Sequence, residues 1–102
     1  KLVHMLISEA VKLRASDIHV EPMANRVRVR YRIDGVCQEV IKSPKKLHRQ
    51  LISRIKISSG MDIAEKRIPQ DGRFKLRTGA KTIDASLVPG DGTTNATLTP
   101  RP

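Results

Sequence analysis

Residues 26–33 read Arg-Val-Arg-Val-Arg-Tyr-Arg-Ile, a strict alternation of cationic and apolar side chains. A period of two predicts a β-strand, because successive side chains of a strand point to opposite faces of its sheet. One face of this strand is expected to enter a core, and it carries Val27, Val29, Tyr31 and Ile33. The other face carries Arg26, Arg28, Arg30 and Arg32.

This arginine face favours an anionic partner. Guanidinium groups repeated along one rigid strand repel one another, and each offers a planar fork of donors that suits phosphate or carboxylate. A solvated strand face is the alternative, and it is the better interpretation for any single arginine. Four arginines in strict phase instead predict a binding surface for an anion.

The pattern before and after this strand predicts its neighbours. Apolar residues at helical spacing predict an amphipathic helix that ends near Arg14, and alternation predicts a strand from Asp17 to Glu21. Asp34-Gly35 is typical of a tight hairpin turn. A third strand is therefore expected over residues 36–41.

The second half of the chain predicts another helix and more strands. Ser43-Pro44 is typical of a helix N-cap followed by proline, and the apolar stripe that follows ends near Gly60. Cations expected largely outside that stripe are Lys45, Lys46, Arg49, Arg54 and Lys56. Alternation then predicts strands at residues 73–77 and 81–88. The expected fold class is α+β, an antiparallel sheet with two amphipathic helices.

Two segments have no clear period. Residues 89–102 carry little apolar content, and we expect them to form a disordered tail behind a domain of residues 1–88. Residues 62–73 mix acidic and basic side chains, and a surface loop that neutralises itself is the simplest interpretation. Because Arg73 opens a predicted strand, it could instead join Arg30 and Arg32 in one anion pocket.

Composition limits the function. The 102 residues carry a net charge of +10 with a pI of about 10.5, which suits one domain with an acidic partner: nucleic acid, a nucleotide, an anionic membrane or a protein. Cys37 is the sole cysteine, so the chain has no intramolecular disulfide and no cysteine-based zinc site. His4, His19 and His48 lack metal-like spacing and are expected to be surface or structural residues.

Five motifs in order resemble those of the bacterial type II secretion and type IV pilus assembly ATPases. They are Ala15–Pro22 (ASDIHVEP), Arg30–Gly35 (RYRIDG), Ser53–Lys56 (SRIK), Met61–Arg67 (MDIAEKR) and Pro69–Arg73 (PQDGR). The resemblance covers roughly residues 1–84 and lies in the PAS-like α+β module that precedes the nucleotide-binding core. After Asp84 the chain lacks the Arg-Val pair of the family, and it contains no phosphate loop. We therefore expect the ATPase core to be absent from these residues, and we expect no ATPase activity from this chain alone.

The resemblance implies a role for several arginines. In that family the module closes over ATP and Mg²⁺ held by the core, and its arginines approach the triphosphate. Arg32 and Arg73 are the implied catalytic candidates, and Arg30 and Arg67 are further nucleotide-binding candidates. The implied partners are its own or a neighbouring ATPase core in a homo-hexamer and the platform proteins of the inner membrane. The implied location is cytoplasmic, peripheral at that membrane.

Two other functions stay open from the sequence. Net charge alone also suits a nucleic-acid-binding module, but single-strand binders usually offer aromatic stacking platforms. Tyr31 and Phe74 are the only aromatic residues, and both fall in the inward phase, so we expect no specific nucleic acid partner. A purely structural docking domain, whose arginines meet acidic residues of a neighbour, is the remaining alternative.

Overall fold

The computed structural model describes residues 2–24, 26–44, 47–75, 82–90 and 93–101. These residues form α1 (Leu2–Lys12), β1 (Asp17–Pro22), β2 (Arg26–Ile33), β3 (Val36–Pro44), α2 (Leu47–Ser59), β4 (Gln70–Lys75), β5 (Thr82–Gly90) and β6 (Thr93–Arg101). The strands form one antiparallel sheet in the order β3-β2-β1-β6-β5-β4. The predicted α+β class, with an antiparallel sheet and two helices, is confirmed.

The core combines apolar side chains of both helices with one face of the sheet. Of the four predicted inward residues of β2, Val27, Val29 and Tyr31 are at most 1% exposed, and Ile33 is partly buried against the same core. The Tyr31 hydroxyl donates a hydrogen bond of 2.6 Å to the carbonyl of Leu6 and so joins β2 to α1. Burial, with a smaller contribution from the charge of Glu9, raises the pKa of Tyr31 to about 12. We call the face of the sheet opposite this core the open face.

The disordered tail expected from residue 89 is a wrong prediction. Residues 93–101 form β6, which lies at the centre of the sheet and pairs with both β1 and β5. Ala96 and Leu98 are buried in the core, and Thr97 between them lies on the open face. Two neighbouring strands satisfy the backbone of β6 on both sides, so a segment with few apolar side chains still forms a strand.

The start of α2 also differs from its prediction. Ser43 and Pro44 do not cap the helix, because they pair with Val27 and Arg26 as the last residues of β3. The helix begins at Leu47, and residues 45 and 46 lie outside the described residues. The pairing of β3 with β2 continues past a register shift between Val29 and Arg30. Ser43 and Pro44, which the sequence pattern assigns to the start of the helix, are therefore part of this longer β-ladder.

Candidate functional site

The arginines of β2 lie on the open face, where carboxylates of the neighbouring strands pair with them. The pairs are Arg26–Glu39 at 3.3 Å, Arg28–Glu21 at 3.1 Å, Arg30–Glu21 at 2.8 Å and Arg32–Asp17 at 3.6 Å. This arrangement relieves the repulsion that the sequence alone predicts. The face is charge-compensated rather than a bare cationic strip, which corrects the simplest expectation from the alternating pattern.

The sites of Arg32 and Arg73 lie at opposite ends of one polar row. Asp17 stands beside Arg32 in register and accepts a hydrogen bond of 2.9 Å from Thr99. Thr99 stands beside Asp84, and Asp84 stands beside Arg73. The predicted shared face is therefore confirmed. The strand order separates β2 from β4 by four strand spacings, or about 19 Å, so the two arginines do not converge on one small anion.

Arg73 is the more accessible of the two. Its side chain is 70% exposed, against 43% for Arg32. Its Nε lies 3.1 Å from Asp84 Oδ1, but that oxygen has no hydrogen-bond partner in the structure, so the contact is an ion pair without hydrogen-bond geometry. The other oxygen of Asp84 accepts a hydrogen bond from Arg101. The Arg73 guanidinium is therefore accessible to a new anion while its Nε stays beside Asp84.

The segment between α2 and β4, residues 61–69, forms an ordered loop closed by Gln70. The Oε1 of Gln70 accepts a hydrogen bond of 2.8 Å from the amide of Asp62. Its Nε2 donates to the carbonyl of Asp62 at 3.1 Å and to that of Glu65 at 3.4 Å. One side chain thus holds both ends of the loop.

Lys56 also holds this loop, through a hydrogen bond to the loop backbone. We predict it outside the apolar stripe of α2, and this is wrong, because the residue is only 5% exposed. Its Nζ donates a hydrogen bond of 2.7 Å to the carbonyl of Glu65. The alkyl stem of a lysine packs well against apolar neighbours, and the carbonyl compensates the ammonium group for lost water.

Arg67 has a hydrogen-bonded backbone amide and a highly exposed side chain. Its amide donates a hydrogen bond of 2.7 Å to Glu65 Oε1. This bond is the main reason why the pKa of the Glu65 carboxyl is lowered from its ordinary value. The Arg67 side chain is 89% exposed, and its Nε lies 3.7 Å from the same carboxylate. The loop therefore presents this guanidinium to solvent from a defined position.

Gly72 explains why the loop meets β4 where it does. A Cβ at this position would lie 2.6 Å from the carbonyl oxygen of Ser59 and 2.9 Å from the Cβ of Ser59. The backbone of β4 therefore passes against the last turn of α2, an approach that only glycine allows. Met61 reinforces this corner, since its amide donates to the carbonyl of Lys56 at 2.9 Å.

The remaining candidates do not form a reaction centre. His4 lies 3.4 Å from Ser8, His19 lies 3.4 Å from Thr97, and His48 contacts the carbonyl of Thr94, so the histidines stand on separate elements. Within the described ranges, no group of three or more histidine, cysteine, aspartate or glutamate residues could hold a metal ion. No helix in that part of the chain is long and apolar enough to cross a membrane.

A groove of about 470 Å³ lies on the helix side of the sheet, between α1 and β3. Its lining combines apolar side chains such as Met5, Leu13 and Val40 with the polar Glu9 and Lys12, and it does not include the arginines of the open face.

Residues 1–94 match the model of the family described as "Type II/IV secretion system protein". The chain belongs to this family. Type II secretion system protein E of Xanthomonas campestris is 53% identical over 91 residues, which cover 87% of this chain and 16% of that protein. The protein E of Aeromonas hydrophila is 50% identical over 87 residues, or 85% of this chain and 17% of its own length. The resemblance found in the five motifs is thereby confirmed.

Similarity extends to the pilus proteins. Type IV pilus assembly ATPase PilB of Myxococcus xanthus is 53% identical over 79 residues, which cover 78% of this chain and 14% of PilB. The chain therefore spans less than a fifth of the length of these curated relatives. A crystal structure of the pilus retraction motor PilT with bound ADP superposes with a TM-score of 0.69 over 97% of this chain and 29% of PilT. At 24% identity, this likeness shows the shared fold.

Proposed function

We propose that this chain is the module of a secretion or pilus ATPase that supplies arginine donors to ATP held by the adjoining core. The high exposure of the Arg73 side chain, at 70%, is the observation that carries the proposal. A strand fixes its backbone, and a rigid element positions a catalytic donor better than a mobile one. Family membership supplies the partner, since PilB is named an assembly ATPase.

The arginines contribute to different degrees. Arg73 and Arg67 are the most exposed and approach the triphosphate first. Arg32 stands at the other end of the row, about 19 Å from Arg73, so the two side chains do not bind the same phosphate group. Arg30 is 29% exposed and lies 2.8 Å from Glu21, so it must give up a short ion pair to bind phosphate and contributes least.

The chemistry explains why arginine is used. Phosphoryl transfer is catalysed mainly by positioning and by stabilising charge, and an inserted arginine raises the rate by about 10³–10⁵. At 1.36 kcal/mol per factor of ten, this is about 4–7 kcal/mol of transition-state stabilisation. ATP and Mg²⁺ are held mainly by the core, and the module moves with the nucleotide cycle.

The proposal includes the wider assembly. The arginines serve the core of the same subunit or of a neighbouring subunit in a homo-hexamer. That hexamer is cytoplasmic and binds the platform proteins of the inner membrane, where ATP hydrolysis drives secretion or pilus assembly.

A chimaera tests this function. It is the intact protein E of Xanthomonas campestris in which the matched residues of this chain replace its own. We expect Arg73→Ala to lower kcat at least about a hundredfold, and Arg73→Lys to restore little, because an ammonium cannot reproduce the bidentate fork. Lys75→Ala is the matched control, since Lys75 is an exposed cation two residues further along β4 on the same face. Unchanged turnover in Arg73→Ala would overturn the proposal.

Nucleic acid binding is not favoured by the structure. Tyr31 is 1% exposed, and Phe74 packs against the core, so neither offers a stacking surface. Binding of this chain to single-stranded DNA should be weak, independent of sequence and steeply reduced by salt, which a fluorescence-anisotropy titration measures.

A further inference from the structure

The carboxylate of Asp84 lies between two arginines that belong to different strands. Asp84 stands beside Arg73 of β4 in register, and its Oδ1 lies 3.1 Å from the Arg73 Nε. Its Oδ2 accepts a hydrogen bond from the Nε of Arg101, at the end of β6. One carboxylate therefore serves two guanidinium groups, and the three side chains together keep a net positive charge that a further anion can neutralise.

The two oxygens of Asp84 differ in how they are satisfied. Oδ1 is buried and has no hydrogen-bond partner in the part of the chain that the structure describes, although the Arg73 Nε is within reach. A buried acceptor without a donor costs free energy. Hydrogen bonds of catalytic sites are often poorly aligned in the free protein and tighten in the complex. The bond from the Arg73 Nε to Oδ1 is therefore completed when an anion engages the outer edge of the guanidinium.

We propose that Asp84 is the positioning residue of Arg73. It holds the Nε, so that the two terminal nitrogens of the guanidinium stay free to bind one phosphate group of ATP as a fork. A planar guanidinium can use its inner and outer edges at once, because its donors point in fixed directions. The proposal rests on the proposed function for the identity of the anion, and it adds the group that sets the direction of the arginine.

The fold holds Asp84 more firmly than it holds Arg73. Asp84 lies on β5, which pairs with β4 on one side and with β6 on the other. Its side chain is 22% exposed, against 70% for Arg73, and Arg101 restrains rotation of the carboxylate. A long, exposed arginine loses side-chain entropy when it binds phosphate. A fixed carboxylate at its Nε reduces that loss, because the side chain is already partly ordered.

Steady-state kinetics of the chimaera test the role of Asp84. Asp84→Ala should lower kcat about ten- to a hundredfold, because a catalytic donor misplaced by about 1 Å loses rate on that scale. KM for ATP should stay within about twofold, since the core holds most of the nucleotide. Asp84→Asn keeps an oxygen acceptor for the Nε and should recover part of the loss.

Glu39→Ala is the matched control. The Glu39 side chain is 27% exposed and pairs with Arg26 at 3.3 Å on the same face of the sheet, but at its opposite edge, on β3. This variant also removes one carboxylate from an arginine, so it measures the general effect of such a loss. Its kcat should equal that of the parent chimaera, and a loss as large as that of Asp84→Ala would overturn the proposal.

A double variant separates positioning from a general effect on the fold. In the Arg73→Ala background, Asp84→Ala should lower kcat no further, because a positioning residue acts only through the arginine that it holds. Loss by the same factor in both backgrounds would show that Asp84 only supports the fold, and it would overturn the proposal. Unchanged kcat in Asp84→Ala alone would overturn it as well.

NMR relaxation of the 102-residue chain measures the restraint without any turnover. The order parameter of the Arg73 Nε–H bond should exceed that of Arg54, an exposed arginine of α2. Asp84→Ala should lower it to the value of Arg54, and Asp84→Asn should lower it part of the way. A value unchanged from the parent in either variant, with a folded amide spectrum, would overturn the proposal.

The failure of this proposal and that of the proposed function are distinguishable. Normal turnover in Arg73→Ala would remove both, since Asp84 would then have no catalytic arginine to position. Lost turnover in Arg73→Ala together with normal turnover in Asp84→Ala would remove the positioning role alone.

Discussion

The strand that carries the most arginines and the loop that carries few of them differ in how their charges are used. On β2, each guanidinium has a carboxylate from a neighbouring strand, and the four side chains are 27–43% exposed. In the loop of residues 61–69 and at the start of β4, Arg67 and Arg73 are 89% and 70% exposed. The comparison teaches that the number of arginines indicates where the sheet is held together, whereas their accessibility indicates where an anion binds.

On the side of the loop of residues 61–69, the close contact between Gly72 and Ser59 should be the most sensitive to substitution. Gly72→Ala places a methyl group 2.6 Å from the Ser59 carbonyl, and overpacking of this kind costs about 1–3 kcal/mol. Gly35→Ala serves as the contrast, since its Cβ meets nothing within 4 Å and only the positive φ opposes it. Denaturant unfolding should rank Gly72→Ala as the more damaging, and the reverse order would show that the corner of α2 and β4 is loose.

Lys56→Met should loosen the loop of residues 61–69 while keeping an unbranched apolar side chain. The Glu65 carbonyl then loses a charged donor, a loss worth about 1.5–3 kcal/mol. Amide exchange over residues 62–69 should become faster. The same change at Lys75, an exposed cation, should leave both stability and exchange unaltered.

On the β2 side, the hydrogen bond from the Tyr31 hydroxyl to the carbonyl of Leu6 joins the strand to α1. Tyr31→Phe removes one hydrogen bond and should cost about 1 kcal/mol in urea unfolding. Because the phenol ionises near pH 12 when folded and pH 10 when unfolded, its contribution is complete below pH 10 and falls as the pH rises towards 12. That alkaline loss should disappear in Tyr31→Phe, and its persistence would assign it to another group.

The smallest expected effect concerns Glu65. The pKa of its carboxyl is lowered in the folded chain. The carboxylate therefore stabilises the fold when the pH is above the pKa of the unfolded chain, and this contribution is lost as the pH falls through the pKa of the folded chain. The amide proton of Arg67 donates to this carboxylate, and its NMR shift should titrate with a midpoint below 4.5. In Glu65→Gln the titration should vanish. A midpoint above 4.5 would mean that the hydrogen bond is absent in solution.

Much of the fold could be predicted because local patterns and tertiary structure agree. The alternation of residues 26–33 gives the bounds of β2, and Asp34-Gly35 gives its hairpin to β3. β6 could not be predicted, since its stability comes from backbone pairing with β1 and β5 rather than from its own composition.

The candidate site was only partly predictable. Strand phase is local, so the common face of Arg32 and Arg73 follows from sequence. Their separation depends on strand order, which no local pattern encodes. The hydrogen bonds of Lys56 and Gln70 link residues five to nine positions apart across an irregular loop, where neither the helical nor the strand periodicity of the sequence applies.

The most direct test pairs one arginine from each region and measures two quantities. Arg73→Ala and Arg28→Ala are compared for kcat in the chimaera and for thermal unfolding of the 102-residue chain. We predict that Arg73→Ala lowers kcat at least about a hundredfold and leaves the melting temperature unchanged. Arg28→Ala should leave kcat within about twofold and lower stability by up to about 1 kcal/mol, because its ion pair with Glu21 is partly buried. Full turnover in Arg73→Ala, or unfolding of that variant, would contradict the account.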